Sequence, residues 1–261
     1  MIFTYQDLES IDLTQVNQIA KEAGAAILSI YNLSPGNIGL ILKDDQSPLT
    51  AADKLSHEVI FNALTALTPQ IPIISEEGRD IPYETRKNWP YFWCVDPLDG
   101  TKEFIKHNGE FTVNIALIHQ NTPVLGIIYI PVTSELYYGG QNIGSWKESR
   151  DGTSTHLHVD VSNTGWIAAG SRSHASPEET AVLSQYPVKE TISVGSSLKF
   201  CLIAEGQAHI YYRHGPTMEW DTAAGQAIAT FSGAKMTLLN GEPFLYNKVS
   251  LLNQGFLCKV K

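Results

Sequence analysis

The chain has 261 residues and a formal net charge of −9 at pH 7, with 43% hydrophobic and 17% charged residues. This length and composition are those of a globular protein with one large domain or two smaller ones. The acidic balance excludes a nucleic acid as the expected partner, because that binding is driven by clustered Lys and Arg side chains.

Three cysteines, Cys94, Cys201 and Cys258, are widely spaced and lie in apolar surroundings. Their odd number and spacing predict reduced thiols in the core of a cytoplasmic protein, and they contain no zinc pattern. Residues 1–8 lack the basic start and apolar core of a signal peptide, so we do not expect secretion.

The first predicted helix begins at Asp12 and runs to Tyr31. Asp12 and Gln15 resemble a capping box, and apolar residues follow them at helical spacing. Residues 34–36, Ser-Pro-Gly, should end this helix. The polar residues 43–48 lie between two ordered elements and are a candidate lid or site loop.

The second predicted helix begins at Thr50 and runs to about Leu67. Asp53 lies in its first turn, where a carboxylate offsets the helix dipole. The sharper interpretation makes Asp53 an outer acid of a metal site. The helix pattern alone leaves both interpretations open.

Two short predicted strands end in acids: residues 71–75 are followed by Glu76 and Glu77, and residues 91–95 by the hexapeptide 96–101. If the strands are neighbours, four carboxylates meet at one edge of a sheet. Carboxylates that close repel one another unless cations neutralise them, so a divalent metal is expected there.

The hexapeptide 96–101 has the sequence DPLDGT. Pro97 suits the first position of a tight turn, and such a turn lets Asp96 and Asp99 face one point. A capped turn without function explains the same residues.

An antiparallel meander is predicted in the uncharged part of the chain, with strands 111–118, 124–131 and 135–139. The polar residues 119–123 predict a hairpin within it, so no integral membrane segment is expected. Residues 141–156 lose the apolar signal and are predicted to be a surface connection. We therefore predict an N-terminal domain 1–150, with most metal ligands, and a C-terminal domain 151–261.

The second half alternates between strands 166–169, 191–194 and 209–212 and helices 176–185 and 197–205. Alternation predicts helices that cover a sheet with a parallel component. The small polar residues 170–174 and 195–197 follow two of these strands and suit phosphate, although helix capping explains their serines equally well.

The last strong helix begins near Trp220. Asp221 in its first turn is either a cap or a fifth acid of the site, and the small residues behind it allow close approach to neighbouring elements.

Glu76, Asp96, Asp99 and Asp221 are hard oxygen ligands, which favour Mg²⁺ or Mn²⁺ over zinc or copper. Two such ions roughly 4 Å apart promote in-line attack of water on a phosphate, and Thr101 could orient that water. A covalent serine mechanism lacks its Gly-x-Ser-x-Gly motif. The aspartyl-phosphate enzymes have one residue between their two aspartates, whereas this chain has two.

Three motifs resemble those of the inositol monophosphatase superfamily of Mg²⁺-dependent, lithium-sensitive phosphatases. They are SEE at 75–77, DPLDGT at 96–101 and WDTAAG at 220–225. The flanking words GTKEFI at 100–105, NGEFTVNI at 108–115 and GSSLKFC at 195–201 are similar to the CysQ-type 3′(2′),5′-bisphosphate nucleotidases. The resemblance covers nearly the whole chain.

The resemblance implies a fold of the α+β or α/β class, a layered α/β/α/β/α sandwich. It also implies two or three Mg²⁺ ions, with Mn²⁺ as a substitute and Li⁺ as an inhibitor. Glu76, Asp96 and the Leu98 carbonyl would hold one ion, and Asp96, Asp99 and Asp221 the second. Thr101 and Glu76 would act on the attacking water, and Asp53 would lie near a weaker third ion.

The implied reaction removes the 3′-phosphate of adenosine 3′,5′-bisphosphate, in sulfur assimilation and nucleotide recycling. The implied contacts to this small phosphorylated nucleotide are Gly100, Thr101, His174, Ser196, Lys199 and Arg213. An arginine can hold the non-reacting phosphate through two hydrogen bonds. For Lys199 and Arg213, surface solubility is the alternative.

Other substrates stay open, namely inositol monophosphate, a sugar phosphate and 3′-phosphoadenosine 5′-phosphosulfate. A different class, a metal-dependent anion-binding regulator without turnover, would not need the hydroxyl of Thr101. The sequence also leaves open a homodimer and peripheral attachment to the inner face of the membrane.

Overall fold

The structure is a computed structural model that describes residues 1–33, 39–42, 48–159, 161, 165–171 and 177–261. In chain order the helices are α1 (Leu13–Tyr31), α2 (Ala51–Leu67), α3 (Tyr83–Arg86), α4 (Thr101–Ile105), α5 (Pro177–Leu183), α6 (Leu198–Ala204) and α7 (Glu219–Ser232).

The strands of the N-terminal part are β1 (Ile2–Phe3), β2 (Ile11–Asp12), β3 (Ile41–Leu42), β4 (Pro48–Leu49), β5 (Ile73–Ser75), β6 (Tyr91–Asp99), β7 (Thr112–His119), β8 (Thr122–Ile130), β9 (Glu135–Gly140), β10 (Gly144–Glu148) and β11 (Ser154–Leu157). The strands that follow are β12 (Trp166–Ser171), β13 (Val188–Val194), β14 (Ile210–Arg213), β15 (Thr217–Met218), β16 (Lys235–Leu238), β17 (Leu252–Asn253) and β18 (Phe256–Lys259).

Both N-terminal helices begin where their caps predict. The Asp12 carboxylate accepts hydrogen bonds from the Thr14 N–H and the Gln15 side chain, at 3.0 and 3.2 Å. At the start of α2, Thr50 and Asp53 form a capping box. These helices confirm the predicted ones. The predicted break at 34–36 and the candidate lid, apart from Pro48, lie outside the described residues.

The larger sheet has seven strands in the order β11-β10-β9-β8-β7-β6-β5. Strands β5 and β6 are parallel, with Ser75 opposite Val95, and the other pairs are antiparallel. The predicted meander and its hairpin are therefore confirmed. Helices α1 and α2 bury one face of this sheet in a core that includes Val16, Ile60 and Trp93.

The prediction that residues 141–156 form a surface connection is wrong. Strands β10 and β11 form a hairpin that extends the larger sheet, with Trp146 opposite His156. The Ser145 hydroxyl is buried and donates to the Ile228 carbonyl at 2.7 Å. Strand β11 is the edge of the sheet and β10 lies next to it; backbone hydrogen bonds hold such strands and polar side chains are tolerated there, so the apolar signal is weak. The division into domains at residue 150 stays a prediction.

The second sheet has five strands in the order β13-β12-β14-β18-β16. Strand β12 is parallel to β13 and β14, which confirms the predicted parallel component. Strand β18 is antiparallel to β14 and β16. Sequence patterning missed β16 and β18.

Helices α6 and α7 lie between the two sheets, in a second core that includes Phe92, Phe200 and Phe256. The close contact between β8 and α7 depends on a glycine. A Cβ atom on Gly126 of β8 would lie 2.4 Å from the Ala224 carbonyl oxygen of α7. The described layers confirm the predicted sandwich.

All three cysteines are buried and free, as predicted. Among the described residues, we find no helix whose length and apolar character would let it cross a membrane.

Candidate metal and phosphate site

The predicted neighbours β5 and β6 end side by side. The Glu76 N–H donates to the Val95 carbonyl at 3.2 Å, so Glu76 and Asp96 leave the two strands at the same edge. Parallel strands place their carboxyl ends together, which is why this juxtaposition follows from the sequence. The structure confirms it.

The predicted turn within the hexapeptide 96–101 is a bulge instead. Strand β6 was predicted to end at residue 95, but it continues to Asp99, with Asp96 opposite Asn114 and Asp99 opposite Thr112. Three steps along β6 therefore match two steps along β7. The extra residue redirects the side chains as a turn would, and the Leu98 N–H donates to Asp96 Oδ1 at 3.1 Å.

The carboxylate of Asp99 is oriented by Asn114 of β7 and by Ser197, the residue before α6. Its Oδ2 accepts from the Ser197 hydroxyl at 2.7 Å and from Asn114 Nδ2 at 3.3 Å. The Ser197 hydroxyl also lies 3.0 Å from the Asp221 carbonyl oxygen. Ser197 therefore links the two parts of the chain that carry the predicted ligands. Its hydroxyl makes no cap to α6, although capping was one prediction for it.

Sequence reasoning missed Asn114. The available signal was one asparagine in an otherwise apolar strand, where it is buried and accepts from the Thr112 hydroxyl at 2.9 Å. Buried polar side chains require hydrogen-bond partners, and here the partner is a site carboxylate.

Asp221 is a cap, as one prediction had it. Its Oδ2 accepts the Met218 N–H at 2.8 Å in the first turn of α7. Burial, and then the charge of Asp99, raise its pKa well above the ordinary value for aspartate.

Asp53 caps α2 and also contacts Thr101, while its place in a metal site stays a prediction. Its Oδ2 accepts from the Thr50 N–H at 2.7 Å as a cap, and its Oδ1 accepts the Thr101 hydroxyl at 3.1 Å. Burial raises the pKa of Asp53, and its hydrogen bonds to Thr50 and Thr101 act against this shift. Thr101 begins α4 directly after Gly100, whose φ of 97° is left-handed.

The acids are electrostatically coupled. Burial raises the pKa of Asp96 well above its ordinary value, and the carboxylates of Glu76, Asp99, Asp221 and Asp53 raise it further, in that order. Burial also raises the pKa of Asp99, while the Ser197 hydrogen bond and the Lys199 ammonium lower it. Without a cation, these charges destabilise one another.

The donor set fits a hard divalent cation. Among the described side chains, no three or more His, Cys, Asp or Glu residues are arranged closely enough to hold a metal ion. The fit therefore rests on donor chemistry and charge. Asp96, Asp99 and Asp221 are buried carboxylates that face one another's charge, and carboxylate oxygens are ligands that Mg²⁺ prefers.

Gly100 and Ser196, two predicted substrate contacts, face each other. A Cβ atom on Gly100 would lie 3.2 Å from Ser196 Cβ. Ser196 has a φ of 41°, and its buried hydroxyl makes no hydrogen bond in the described part of the chain. The Glu110 carboxylate accepts the neighbouring Gly195 N–H at 2.8 Å and holds this loop. A strained residue with an unused hydroxyl is a candidate ligand contact.

Lys199 is buried, which excludes surface solubility as its explanation. Its ammonium donates to the carbonyls of Ser196 at 2.6 Å and Val194 at 3.2 Å. Burial lowers its pKa to about 8 despite the opposing effect of Asp99. Lys199 therefore places positive charge beneath the loop 194–197.

The other two predicted substrate contacts are less well defined. Arg213 ends β14 and donates to the Pro216 carbonyl at 3.3 Å. His174 lies outside the described residues. The roles of both stay predictions.

The chain resembles known proteins over nearly its whole length. The model of the inositol monophosphatase family matches residues 7–257. The chain is 49% identical over 245 residues to a 3′(2′),5′-bisphosphate nucleotidase CysQ from Salmonella typhimurium, covering 94% of this chain and 98% of that protein. It is 47% identical over 246 residues to its counterpart from Escherichia coli K12, with the same coverage.

Solved structures show the same fold. The crystal structure of CysQ from Bacteroides thetaiotaomicron superposes with a TM-score of 0.82 at 41% identity, covering 95% of this chain and 96% of that one. An inositol monophosphatase from Anabaena superposes with a TM-score of 0.73 at 23% identity, covering 95% and 89%. The second likeness concerns the fold alone.

Proposed function

The chain belongs to the inositol monophosphatase family, and on this premise we propose that it is a 3′(2′),5′-bisphosphate nucleotidase. It removes the 3′-phosphate of adenosine 3′,5′-bisphosphate and releases AMP and inorganic phosphate. The observation that carries the proposal is the placement of the acids: Glu76 and Asp96 leave neighbouring parallel strands at one edge, and the Ser197 hydroxyl lies between Asp99 and the Asp221 carbonyl. The identity of 47–49% with the CysQ nucleotidases supports the choice of substrate.

Glu76, Asp96, Asp99, Asp221 and the Leu98 carbonyl are the proposed metal ligands. These residues would hold Mg²⁺, which would neutralise their charge and would supply the means to activate the attacking water and to stabilise the leaving oxygen. Mn²⁺ should substitute for Mg²⁺, and Li⁺ should inhibit.

Thr101 and Asp53 orient the attacking water. The Thr101 hydroxyl donates to Asp53, so its oxygen lone pairs are available to accept a hydrogen bond from water. The raised pKa of Asp53 makes its carboxylate a better proton acceptor. In the reaction the water oxygen bonds to phosphorus, the bond from phosphorus to the 3′ oxygen breaks, and that oxygen takes up a proton.

The loop 194–197 and the end of β14 bind the rest of the substrate. Gly100 and the free hydroxyl of Ser196 contact the nucleotide, and Lys199 supplies positive charge below the loop. Arg213 binds the non-reacting 5′-phosphate. His174 is a further proposed contact, and a homodimer and a cytoplasmic location stay predictions from the sequence.

One panel assay tests the proposed function. Inorganic phosphate release is measured for adenosine 3′,5′-bisphosphate, 3′-phosphoadenosine 5′-phosphosulfate, inositol 1-phosphate and a sugar phosphate, with Mg²⁺ present. We expect the highest kcat/KM for the bisphosphate. A higher value for inositol 1-phosphate would make the substrate assignment wrong, and binding of metal and nucleotide without turnover would favour the regulator.

A further inference from the structure

Glu219 is a completely buried carboxylate that the proposed reaction does not use. It is the first residue of α7, two positions before Asp221. Its Oε2 accepts the Asn247 N–H at 2.8 Å, and its Oε1 accepts the Lys248 N–H at 3.0 Å and the Lys248 ammonium at 2.6 Å. A carboxylate this deep is stable only because these donors replace its hydration.

Residues 247–253, the loop that contains Asn247 and Lys248, also hold the backbone around Met218, whose N–H the Asp221 side chain caps. The Glu219 N–H donates to the Leu251 carbonyl at 2.9 Å, and Asn253 Nδ2 donates to the Met218 carbonyl at 2.7 Å. Lys248 also donates to Asn253 Oδ1 at 3.0 Å. Met218 is the residue whose N–H binds Asp221, so the orientation of Asp221 depends on residues 247–253.

The network continues to the chain segment that follows Glu76. Arg86 is buried in α3 and donates to Asn247 Oδ1 at 2.7 Å and to the Val249 carbonyl at 3.0 Å. Asn247 Nδ2 donates back to the Arg86 carbonyl at 2.9 Å. Asn247 has a left-handed φ of 58°, a conformation that asparagine tolerates better than most residues.

A pocket of about 150 Å³ lies between these elements, with Glu76, Arg86, Trp220 and Leu251 among its lining residues. The network therefore reaches Asp221 through Met218 and, through Arg86, borders the pocket that Glu76 also lines.

We propose that Glu219 is a positioning residue for the metal site, acting with Lys248 and Asn247 to hold the first turn of α7 so that Asp221 can bind the cation. This inference rests on the proposed function in that it takes Asp221 as a metal ligand. Residues that orient metal ligands typically change metal affinity by roughly ten- to hundredfold when they are lost.

The test is the binding of Mn²⁺ to the nucleotide-free protein, measured by electron paramagnetic resonance. In Glu219→Gln, the side chain keeps its size but loses the ion pair with Lys248. We expect its Mn²⁺ dissociation constant to rise by about tenfold or more. In the steady state, kcat should fall at low Mg²⁺ and recover at high Mg²⁺, while KM for the bisphosphate stays unchanged.

The matched control is Glu205→Gln, which breaks a second partly buried ion pair, between Glu205 and Lys147 at 2.7 Å. This pair joins Glu205, at the end of α6, to Lys147 in β10. We expect a lower Tm with an unchanged Mn²⁺ dissociation constant. If Glu219→Gln does not fold, Lys248→Met, which keeps both backbone hydrogen bonds to Glu219, should raise the Mn²⁺ dissociation constant in the same direction.

The Mn²⁺ affinities of the variants and the wild type, together with phosphate release, separate the positioning role from the proposed function. Wild-type Mn²⁺ affinity in folded Glu219→Gln and Lys248→Met would overturn the positioning role and leave the proposed function intact. The same loss of affinity in Glu205→Gln would also overturn it, because any broken ion pair would then suffice. Mn²⁺ binding by the wild type without phosphate release would contradict the proposed function alone, and a wild type without Mn²⁺ binding would contradict both.

Discussion

Two regions bring carboxylates to the site: the sheet edge formed by β5 and β6, and the first turn of α7. These two regions are built differently. At the edge, Glu76 and Asp96 follow directly from the parallel pairing of two strands. At the first turn of α7, Asp221 depends on Met218, which the loop 247–253 holds through side chains distant in sequence. Backbone pairing makes the edge locally determined, whereas the first turn of α7 depends on long-range polar contacts.

The difference has a consequence for substitutions. A change at the edge should remove a ligand and little else, because the sheet hydrogen bonds persist. A change around the first turn of α7 should act over a distance, through the orientation of Asp221. Substitutions in the two regions should therefore differ in their effects on activity, metal requirement and stability.

The largest effect is expected for Asp99→Asn. The substitution removes one negative charge from the edge, so kcat/KM for the bisphosphate should fall by more than the roughly hundredfold typical of a residue that only orients a ligand. Phosphate release at saturating Mg²⁺ measures it. Asp151→Asn, at an exposed carboxylate in the turn between β10 and β11, is the control and should keep wild-type activity. Comparable activity in both variants would remove Asp99 from the site.

A smaller effect is expected for Ser197→Ala, which breaks the contact between the two regions. The Ser197 hydroxyl orients Asp99 and lies beside the Asp221 carbonyl, so the Mg²⁺ concentration for half-maximal activity should rise by about tenfold. A Mg²⁺ titration of phosphate release measures it. Ser145→Ala removes a buried hydroxyl in β10, which lies next to the edge strand β11, and should affect Tm but not the Mg²⁺ requirement.

Lys199→Ala should act on the substrate rather than on the metal. The buried ammonium supports the loop 194–197, and the bisphosphate carries more negative charge than a monophosphate. We expect KM for adenosine 3′,5′-bisphosphate to rise by several fold more than KM for 3′-AMP. Steady-state kinetics on both substrates measure the two ratios. Equal increases would mean that Lys199 does not contribute to recognition of the second phosphate.

The smallest effect concerns stability without metal. The pKa values of Asp96 and Asp221 are raised by burial and by neighbouring carboxylates, so the folded state holds their protons more tightly than the unfolded state. Their contribution is therefore most favourable below about pH 4 and becomes unfavourable as the pH rises through the raised values.

Mg²⁺ should offset this destabilisation. The increase in Tm on adding Mg²⁺ is expected to be a few degrees larger at pH 8 than at pH 5.5, and scanning calorimetry with and without a chelator measures it. Asp99→Asn should reduce the difference. An equal Mg²⁺ effect at both pH values would contradict the coupling between the acids.

The features that could be predicted from the sequence are those that depend on residues close together in the chain. Helices α1 and α2 followed from their caps and apolar spacing, and Glu76 and Asp96 followed from two strand ends. The bulge at 96–99 was not predictable, because one extra residue in β6 is visible only against its partner β7.

The parts that were missed depend on distant residues. Nothing near Asn114 in the sequence indicates that Ser197 and Asp99 are its partners. The same holds for Glu219, whose buried charge is balanced by Lys248 almost thirty residues later. Strands β10, β11 and β16 have polar or short patterns because backbone pairing, rather than an apolar face, determines them.

The central claim is that the coupled acids use Mg²⁺ to remove the 3′-phosphate of a bisphosphate nucleotide. Phosphorus NMR of adenosine 3′,5′-bisphosphate incubated with the protein tests it most directly. We predict that the 3′-phosphate resonance disappears and inorganic phosphate appears only when Mg²⁺ is present, while the 5′-phosphate resonance remains. Loss of the 5′-phosphate first, or equal loss of the 3′-phosphate in the presence of a chelator, would contradict the claim.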